Sequence, residues 1–145
     1  MTQFYKILIS IVFSLTFANY SFSNENFFNE GVKYFKNKKY DDAKFLLQRS
    51  IVFDPKHADS YLYLAKIFKE ENDQINEEKN LETTLLIDPT NEEAILMLME
   101  IGIEKTNYSQ VKELSERFTK ICKNLCFENQ KIIDDLNNLE PKNES

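Results

Sequence analysis

Apolar residues recur along this chain at the spacing of an amphipathic helix and do not alternate as in a strand. Two stripes show the pattern, each of which falls on a single helix face. They are Ala43, Leu46, Leu47 and Ile51 in one, and Val111, Leu114, Phe118 and Ile121 in the other. The 145 residues contain only 2 Gly and 3 Pro, which is little turn punctuation for a sheet. We predict a single all-α domain.

Two of the apolar runs end in the same dipeptide. Asp54-Pro55 closes the first run and Asp88-Pro89 closes the second. A period near 34 is the length of a helix–turn–helix repeat, and proline ends such a unit because it cannot continue the helix. A plain helical bundle has no reason to keep this spacing, so the register favours a helical-repeat binding scaffold over a bundle.

Aligned on the prolines, the chain divides into repeats at 24–57, 58–91 and 92–125. The residues that carry a pattern of large and small side chains at set positions are Phe27, Gly31, Tyr34, Ala43 and Pro55 in the first repeat, and Tyr61, Leu64, Ala65, Phe68, Leu81 and Pro89 in the second. This pattern resembles the tetratricopeptide repeat (TPR) family. Departures from it are Glu30, Leu47 and Ser50, then Glu77 and Thr84, and in a degenerate third repeat Met99, Gly102 and Val111. The resemblance implies a solenoid of about three helix pairs.

A last amphipathic segment follows the third repeat. Residues 128–139 carry Ile132, Ile133, Leu136 and Leu139 on one face and polar residues on the other, as expected of a C-terminal capping helix. Residues 140–145 are polar, and we predict a flexible tail there.

The first 23 residues differ in character from the rest. Lys6 precedes an uncharged, largely apolar stretch from Ile7 to Ala18, and Ser21 and Ser23 place small residues before a cut at Asn24. This is the anatomy of a secretory signal peptide, and a largely apolar stretch of 12 residues is short for a membrane span. We predict a signal peptide over 1–23; the alternative is that the segment is retained as an anchor.

Cys122 and Cys126 are the only cysteines. An even number in an exported chain suggests a disulfide, and residues four apart on a helix have Cα atoms about 6 Å apart, within reach of one. We interpret the pair as a structural staple between the third repeat and the cap. Two buried free thiols, a redox site and a metal site are the alternatives. A zinc site would need further ligands that the lone His57 cannot supply.

Charge and motif content exclude several functions. The formal charge is −6, and no cationic face suited to nucleic acid is visible. His57 falls in a turn, where we expect exposure, and adjacent carboxylates such as Glu77-Glu78 and Glu92-Glu93 are expected to be solvated. No nucleophile–base set, phosphate loop or metal motif is present in the sequence, so we predict no catalytic residues, no cofactor and no metal.

The TPR resemblance implies a concave groove lined by the first helix of each repeat. Carried onto this chain, the groove positions that we expect to bind protein are Phe28, Val32, Phe35, Leu62, Lys66, Lys69, Leu96 and Ile103. Family members that hold a C-terminal carboxylate use Lys and Asn where Phe28 and Val32 stand, so that function is not supported. The alternative for Phe28, Val32 and Phe35 is packing beneath the chain's own N-terminus.

These features together predict an exported adaptor, not an enzyme, that binds another protein or peptide segment in the cell envelope. The periplasm is the expected compartment, since the abundance of Lys and Asn indicates an A/T-rich, bacterial genome. We expect no membrane span after signal cleavage. A thiol-active periplasmic protein that uses Cys122 and Cys126, and a self-associating structural module, are the alternatives.

Overall fold

The computed structural model describes residues 26–139. The predicted signal peptide and the predicted tail lie outside these residues. Seven helices and no strand are found in the described part, so the prediction of an all-α fold of three helix pairs with one further helix is confirmed. None of the helices described is both long and apolar enough to span a membrane.

The helices follow one another with short turns between them. Helix α1 is described from residue 26 to residue 36. The others are α2 (Tyr40–Phe53), α3 (Ala58–Glu70), α4 (Gln74–Ile87), α5 (Glu92–Glu104), α6 (Tyr108–Ile121) and α7 (Cys126–Leu139). The chain divides into two compact units, of which the first ends at Tyr63 and the second begins at Leu64.

In the first unit, α1 packs closely against α2 at a glycine. A Cβ built on Gly31 would lie 3.0 Å from Cγ of Leu47, which is tighter than ordinary van der Waals contact. Ala43 and Leu47 of α2 are fully buried. Below them, the hydroxyl of Ser60 on α3 donates to that of Ser50 on α2 at 3.0 Å. Ser50 departs from the family pattern because its position carries this buried hydrogen bond, which satisfies both hydroxyls.

In the second unit, α5 is the central helix and packs against α4, α6 and α7. Its sequence is apolar nearly all round, as a helix surrounded by others requires. The residues of α5 that are buried are Ala94, Ile95, Leu96, Met97, Leu98, Met99, Ile101 and Gly102. The core of this unit is completed by Val111 and Phe118 of α6 and Leu136 of α7.

The turn after each first helix has the same unusual backbone. Lys38, Asn72 and Thr106 occupy equivalent positions in the three repeats and have φ values of 57°, 59° and 55°. The N–H of the next residue donates to a carbonyl near the end of the first helix, as in Asp73 to Phe68 at 2.9 Å and Asn107 to Gly102 at 2.8 Å. This is the Schellman ending of a helix, which normally uses glycine at the left-handed position.

The third repeat exchanges a small and a large residue relative to the other two. Met99 stands where Gly31 and Ala65 allow close helix approach, and Gly102 stands where Tyr34 and Phe68 lie. A Cβ on Gly102 would lie only 2.7 Å from Cγ2 of Val111. The close contact between the two helices of this pair has therefore moved one turn along α5, and the departure from the pattern is compensated.

The last helix begins earlier than predicted. The sequence placed its start at residue 128, but α7 begins at Cys126, and the Glu128 N–H already donates to the Leu125 carbonyl at 3.0 Å. Ala58 and Glu92, the first residues of α3 and α5, precede Cys126 at the regular interval of the repeat. Helix α7 is thus in the register of a fourth first helix.

We expect Thr106→Asn to raise the free energy of unfolding by about 0.5–1 kcal/mol. A β-branched residue is strained at positive φ, whereas asparagine tolerates this region. Urea unfolding measures the change, and the reciprocal variant Asn72→Thr should lower stability by a similar amount. Equal stability of all three chains would contradict the argument.

We expect Gly102→Ala to lower the free energy of unfolding by about 1–2 kcal/mol, because the added methyl overlaps Val111. Helix propensity alone predicts the opposite sign. In a double-mutant cycle with Val111→Ala, the two substitutions should couple favourably, since the smaller side chain makes room for the methyl. A stabilised Gly102→Ala protein would show that the contact does not restrict this position.

Candidate functional site

Five rings form a continuous row in the first unit. Phe28 lies 4.5 Å from His57 and 5.7 Å from Tyr63, measured between ring centroids. Phe35 lies 5.4 Å from Tyr63 and 5.9 Å from Tyr40. We call His57, Phe28, Tyr63, Phe35 and Tyr40 the aromatic row; all five residues are partly exposed.

The rings of the row come from α1, the start of α2, the turn before α3 and α3 itself, and they contact one another in sequence. Phe28 and Phe35 are two helical turns apart on α1, so they lie on one face, and Tyr63 of α3 meets both edge-on at 75° and 83°. Edge-to-face contacts of this kind are favourable for aromatic rings. The His57 ring is fixed by its Nδ1, which lies 2.9 Å from the buried Ser60 hydroxyl.

The predicted groove residues of the first unit are therefore less exposed than the sequence suggested. Phe28, Val32 and Phe35 are half-buried, and the described ring partners of the two phenylalanines are His57, Tyr63 and Tyr40. His57 is half-buried too, where exposure was expected.

Sequence reasoning missed the role of Tyr63. It stands one position after the expected groove residue Leu62, which is only 5% exposed and belongs to the core. The signal that could have found it is an aromatic residue next to a groove position of α3, because such a ring can reach the two phenylalanines of α1. Leu96 is likewise buried, at 8% exposure, and Ile103 is half-buried.

In the second unit, the lysines at groove positions are paired with carboxylates of the next first helix. Lys66 Nζ lies 2.8 Å from Glu93, and Lys69 Nζ lies 2.5 Å from Glu100. Burial opposes ionisation of Lys69, but the hydrogen bond and charge of Glu100 raise its pKa above the ordinary value. These lysines join α3 to α5, so a ligand would have to compete with the carboxylates for them.

The adjacent carboxylates that the sequence assigned to solvated faces have partners or are buried. Glu78 pairs with Lys105, and Glu77 is only 6% exposed. Burial raises the pKa of Glu77; the charge of Lys69 opposes this shift, and nearby carboxylates, Glu104 first, add to it. The prediction was wrong because neighbours in sequence diverge around a helix, and each meets a different side chain.

Glu92 organises the turn before α7. Its carboxylate accepts the N–H groups of Lys123 at 2.7 Å, Asn124 at 3.1 Å and Leu125 at 2.8 Å. In the earlier turns an aspartate does this, since Asp54 accepts the Lys56 N–H and Asp88 the Thr90 N–H. The Leu125 N–H lowers the pKa of Glu92; desolvation opposes it, and the other two N–H groups reinforce the shift.

Cys122 occupies the place of those aspartates in the third repeat. It is the C-cap residue of α6. A disulfide bond joins it to Cys126, the first residue of α7, with Cα atoms 5.4 Å apart. The disulfide and Glu92 together take over the task of the Asp-Pro turn. Among the described residues, no group of three His, Cys, Asp or Glu side chains is placed to hold a metal ion.

Comparison with known proteins identifies the fold. The sequence matches no protein-family model and no curated protein. The structure resembles the TPR2B domain of yeast Sti1, from its complex with pHsp70, with a TM-score of 0.74 at 14% identity, over 82% of this chain and 99% of that one. This is the TPR fold.

Two further TPR structures resemble it to a similar degree. The Yersinia enterocolitica type III secretion chaperone SycD, in complex with a peptide of the translocator YopD, gives a TM-score of 0.70 at 13% identity, over 78% of this chain and 91% of that one. The Arabidopsis OM64 TPR domain gives a TM-score of 0.71 at 17% identity, over 80% of this chain and 95% of that one.

We expect Glu92→Gln to lower the melting temperature at pH 7. Because the folded pKa of Glu92 is lowered, its ionised form stabilises the folded chain above the ordinary pKa of 4.5, and this contribution is lost as pH falls through the lowered value. Thermal melts from pH 7 to pH 3 should show the gap between wild type and variant closing. Glu116→Gln, at an exposed site on α6, serves as the control and should leave the melting temperature unchanged at pH 7.

We expect alkylation of the unreduced protein to add no label, and alkylation after reduction to add two. Replacing both cysteines with serine should lower the free energy of unfolding by about 1–3 kcal/mol, in line with about 2 kcal/mol for closing a five-residue ring. Intact mass and urea unfolding measure the two effects. Labelling of the unreduced protein would show that the thiols are free.

Proposed function

We propose that this protein is an adaptor that binds an apolar peptide segment of another protein through the aromatic row. The row carries the proposal: five partly exposed rings lie side by side, from α1, the start of α2, the turn before α3 and α3 itself. Aromatic side chains supply much of the binding energy in protein interfaces because they offer large contact area with few rotatable bonds.

The chemistry of the row indicates the kind of segment. Phe28 and Val32 leave no cation or amide at the positions that would grip a terminal carboxylate, so an internal segment with apolar or aromatic side chains fits better. The Sti1 domain is in complex with pHsp70 and SycD with a YopD peptide, which supports peptide recognition as a use of this fold.

We further propose that the protein works after export, in the periplasm, as a non-enzymatic adaptor. The support is the sequence of residues 1–23 and the pairing of its two cysteines, which suits an oxidising compartment.

The cysteine pair is better explained as a staple than as a redox site. Cys126 is exposed and opens a helix, which would favour a reactive thiolate, but the Glu92 carboxylate already occupies the N–H groups of the preceding turn. A second negative charge beside it would be repelled.

Crosslinking in native cells and pull-down should identify the partner, and a synthetic peptide spanning the crosslinked segment then allows affinity to be measured. We expect Phe35→Ala to weaken binding of this peptide by about 1–3 kcal/mol. Phe45→Ala, which removes an exposed ring of α2 outside the row, should leave affinity unchanged.

The melting temperature of each variant is measured beside its affinity. Because Phe35 also contacts Tyr63 and Tyr40, some loss of stability is expected, and affinity must be referred to the folded fraction. If the affinity of Phe35→Ala per folded molecule is unchanged, the aromatic row is not the binding face.

A further inference from the structure

Helix α2 exposes two large apolar side chains to solvent. Phe45 is 59% exposed and Val52 is 77% exposed. Because residues three, four or seven apart lie near one another on a helix surface, both fall on one side of α2 with Asp41, Gln48 and Arg49, opposite the buried residues of that helix. All five residues are exposed, and we call them the exposed face of α2.

The fold does not explain the phenylalanine on this face. The residues at the same position of α4 and α6 are Lys79 and Glu113, and both are exposed. The position is therefore solvated elsewhere in this chain, and a charged residue serves there. An exposed apolar patch that packing within the chain does not require marks a contact surface.

The Arg49 guanidinium lies against aromatic rings at this surface. Its central carbon is 4.2 Å from the centroid of the Phe27 ring and 5.7 Å from that of Phe45. The rings cover the flat side of the guanidinium, but its N–H donors lie around the edge and suit a carboxylate. In the part of the chain that the structure describes, none of the ion pairs includes Arg49.

The opposite charge on this face belongs to Asp41. Its side chain is 98% exposed, and its carboxylate lies 3.4 Å from Lys44 Nζ. An exposed pair of this kind contributes little to stability, so the carboxylate can form a second ion pair at small cost. Asp41 lies four residues before Phe45 and Arg49 four residues after it, so the two charges stand about 6 Å on either side of the ring along the helix.

This arrangement is complementary to a second copy of itself. A twofold axis pairs residue i of one chain with residue j of the other, and j with i. When two α2 helices lie antiparallel with the axis at Phe45, this ring meets its own counterpart. Asp41 of each chain then lies opposite Arg49 of the other, so both charges are matched twice.

We propose that two copies of this protein associate through the exposed face of α2, antiparallel, about a twofold axis at Phe45. The two phenylalanine rings form the centre of the contact, and the two Asp41–Arg49 pairs on either side fix its register. Val52 lies beyond each pair at the rim. None of these residues belongs to the aromatic row.

The first test measures association by sedimentation velocity over a concentration series at low ionic strength, with the chain length recorded by intact mass. We expect wild type to shift from monomer to dimer as concentration rises. Phe45→Ala, Asp41→Arg and Arg49→Asp should each weaken association about tenfold, because every substitution acts twice in a symmetric dimer. Lys79→Asp, a charge reversal at the position equivalent to Phe45 on α4, is the matched control and should associate as the wild type does.

The second test mixes the two charge-reversed chains. Alone, Asp41→Arg places arginine opposite arginine, and Arg49→Asp places aspartate opposite aspartate. In a mixed dimer both pairs are of opposite charge again, so we expect the equimolar mixture to recover association to within about threefold of wild type, as a 1:1 heterodimer. Native mass spectrometry distinguishes the heterodimer from either homodimer. A substitution that merely damaged the fold would not be rescued by mixing, and thermal melts of each variant check this directly.

Three results would overturn the proposal. The first is a wild-type protein that stays monomeric at every concentration, which would leave this face to a different partner. The second is association that Phe45→Ala and the charge reversals do not change, which would place the contact on another surface. The third is a mixture of Asp41→Arg and Arg49→Asp that associates no better than the separate chains, which would exclude the antiparallel register.

Discussion

The left-handed turn after each first helix is the constraint on which the rest of the structure depends. At Lys38, Asn72 and Thr106 the backbone turns sharply enough to bring the next helix back against the one before it. Gly31 and Gly102 allow the two helices of a pair to approach closely only because this reversal places Leu47 and Val111 directly opposite them. The aromatic row in the first unit follows from the same geometry, since Tyr40 begins the helix that the turn redirects toward Phe35.

The third repeat shows that this architecture tolerates replacement of its usual residues when another group does the same work. Gly102 supplies the close approach that Met99 no longer allows. Glu92 supplies the acceptor that the missing aspartate would have provided, although it comes from the start of α5 and not from the turn itself. Sequence degeneracy here does not indicate a loose structure, because each lost contact has a replacement within the second unit.

The fold was predictable from the sequence because it depends on spacing. The Asp-Pro interval and the helical stripes are both periodic, and periodicity survives substitution of individual residues. The site was less predictable. Groove positions could be named from the family pattern, but the pattern does not say that Leu62 and Leu96 are buried or that Tyr63 joins two phenylalanines. The partners of Lys66 and Lys69 lie 27 and 31 residues away, which is about two helical turns and one helical turn less than the repeat period, so the period alone does not name them.

Repeat proteins fray from their ends, because a terminal helix has neighbours on one side only. The Glu92 carboxylate alters this rule at the C-terminal end, since it ties the first residue of α5 to the three residues before α7. These three N–H groups precede α7, so unfolding that enters from the C-terminal end of α7 meets those bonds before it reaches α6, and the disulfide keeps the first residue of α7 joined to the end of α6. Digestion that passes beyond α7 from this side therefore requires the bonds to α5 to break first, so the resistance of the third repeat depends on α5 as well as on α6.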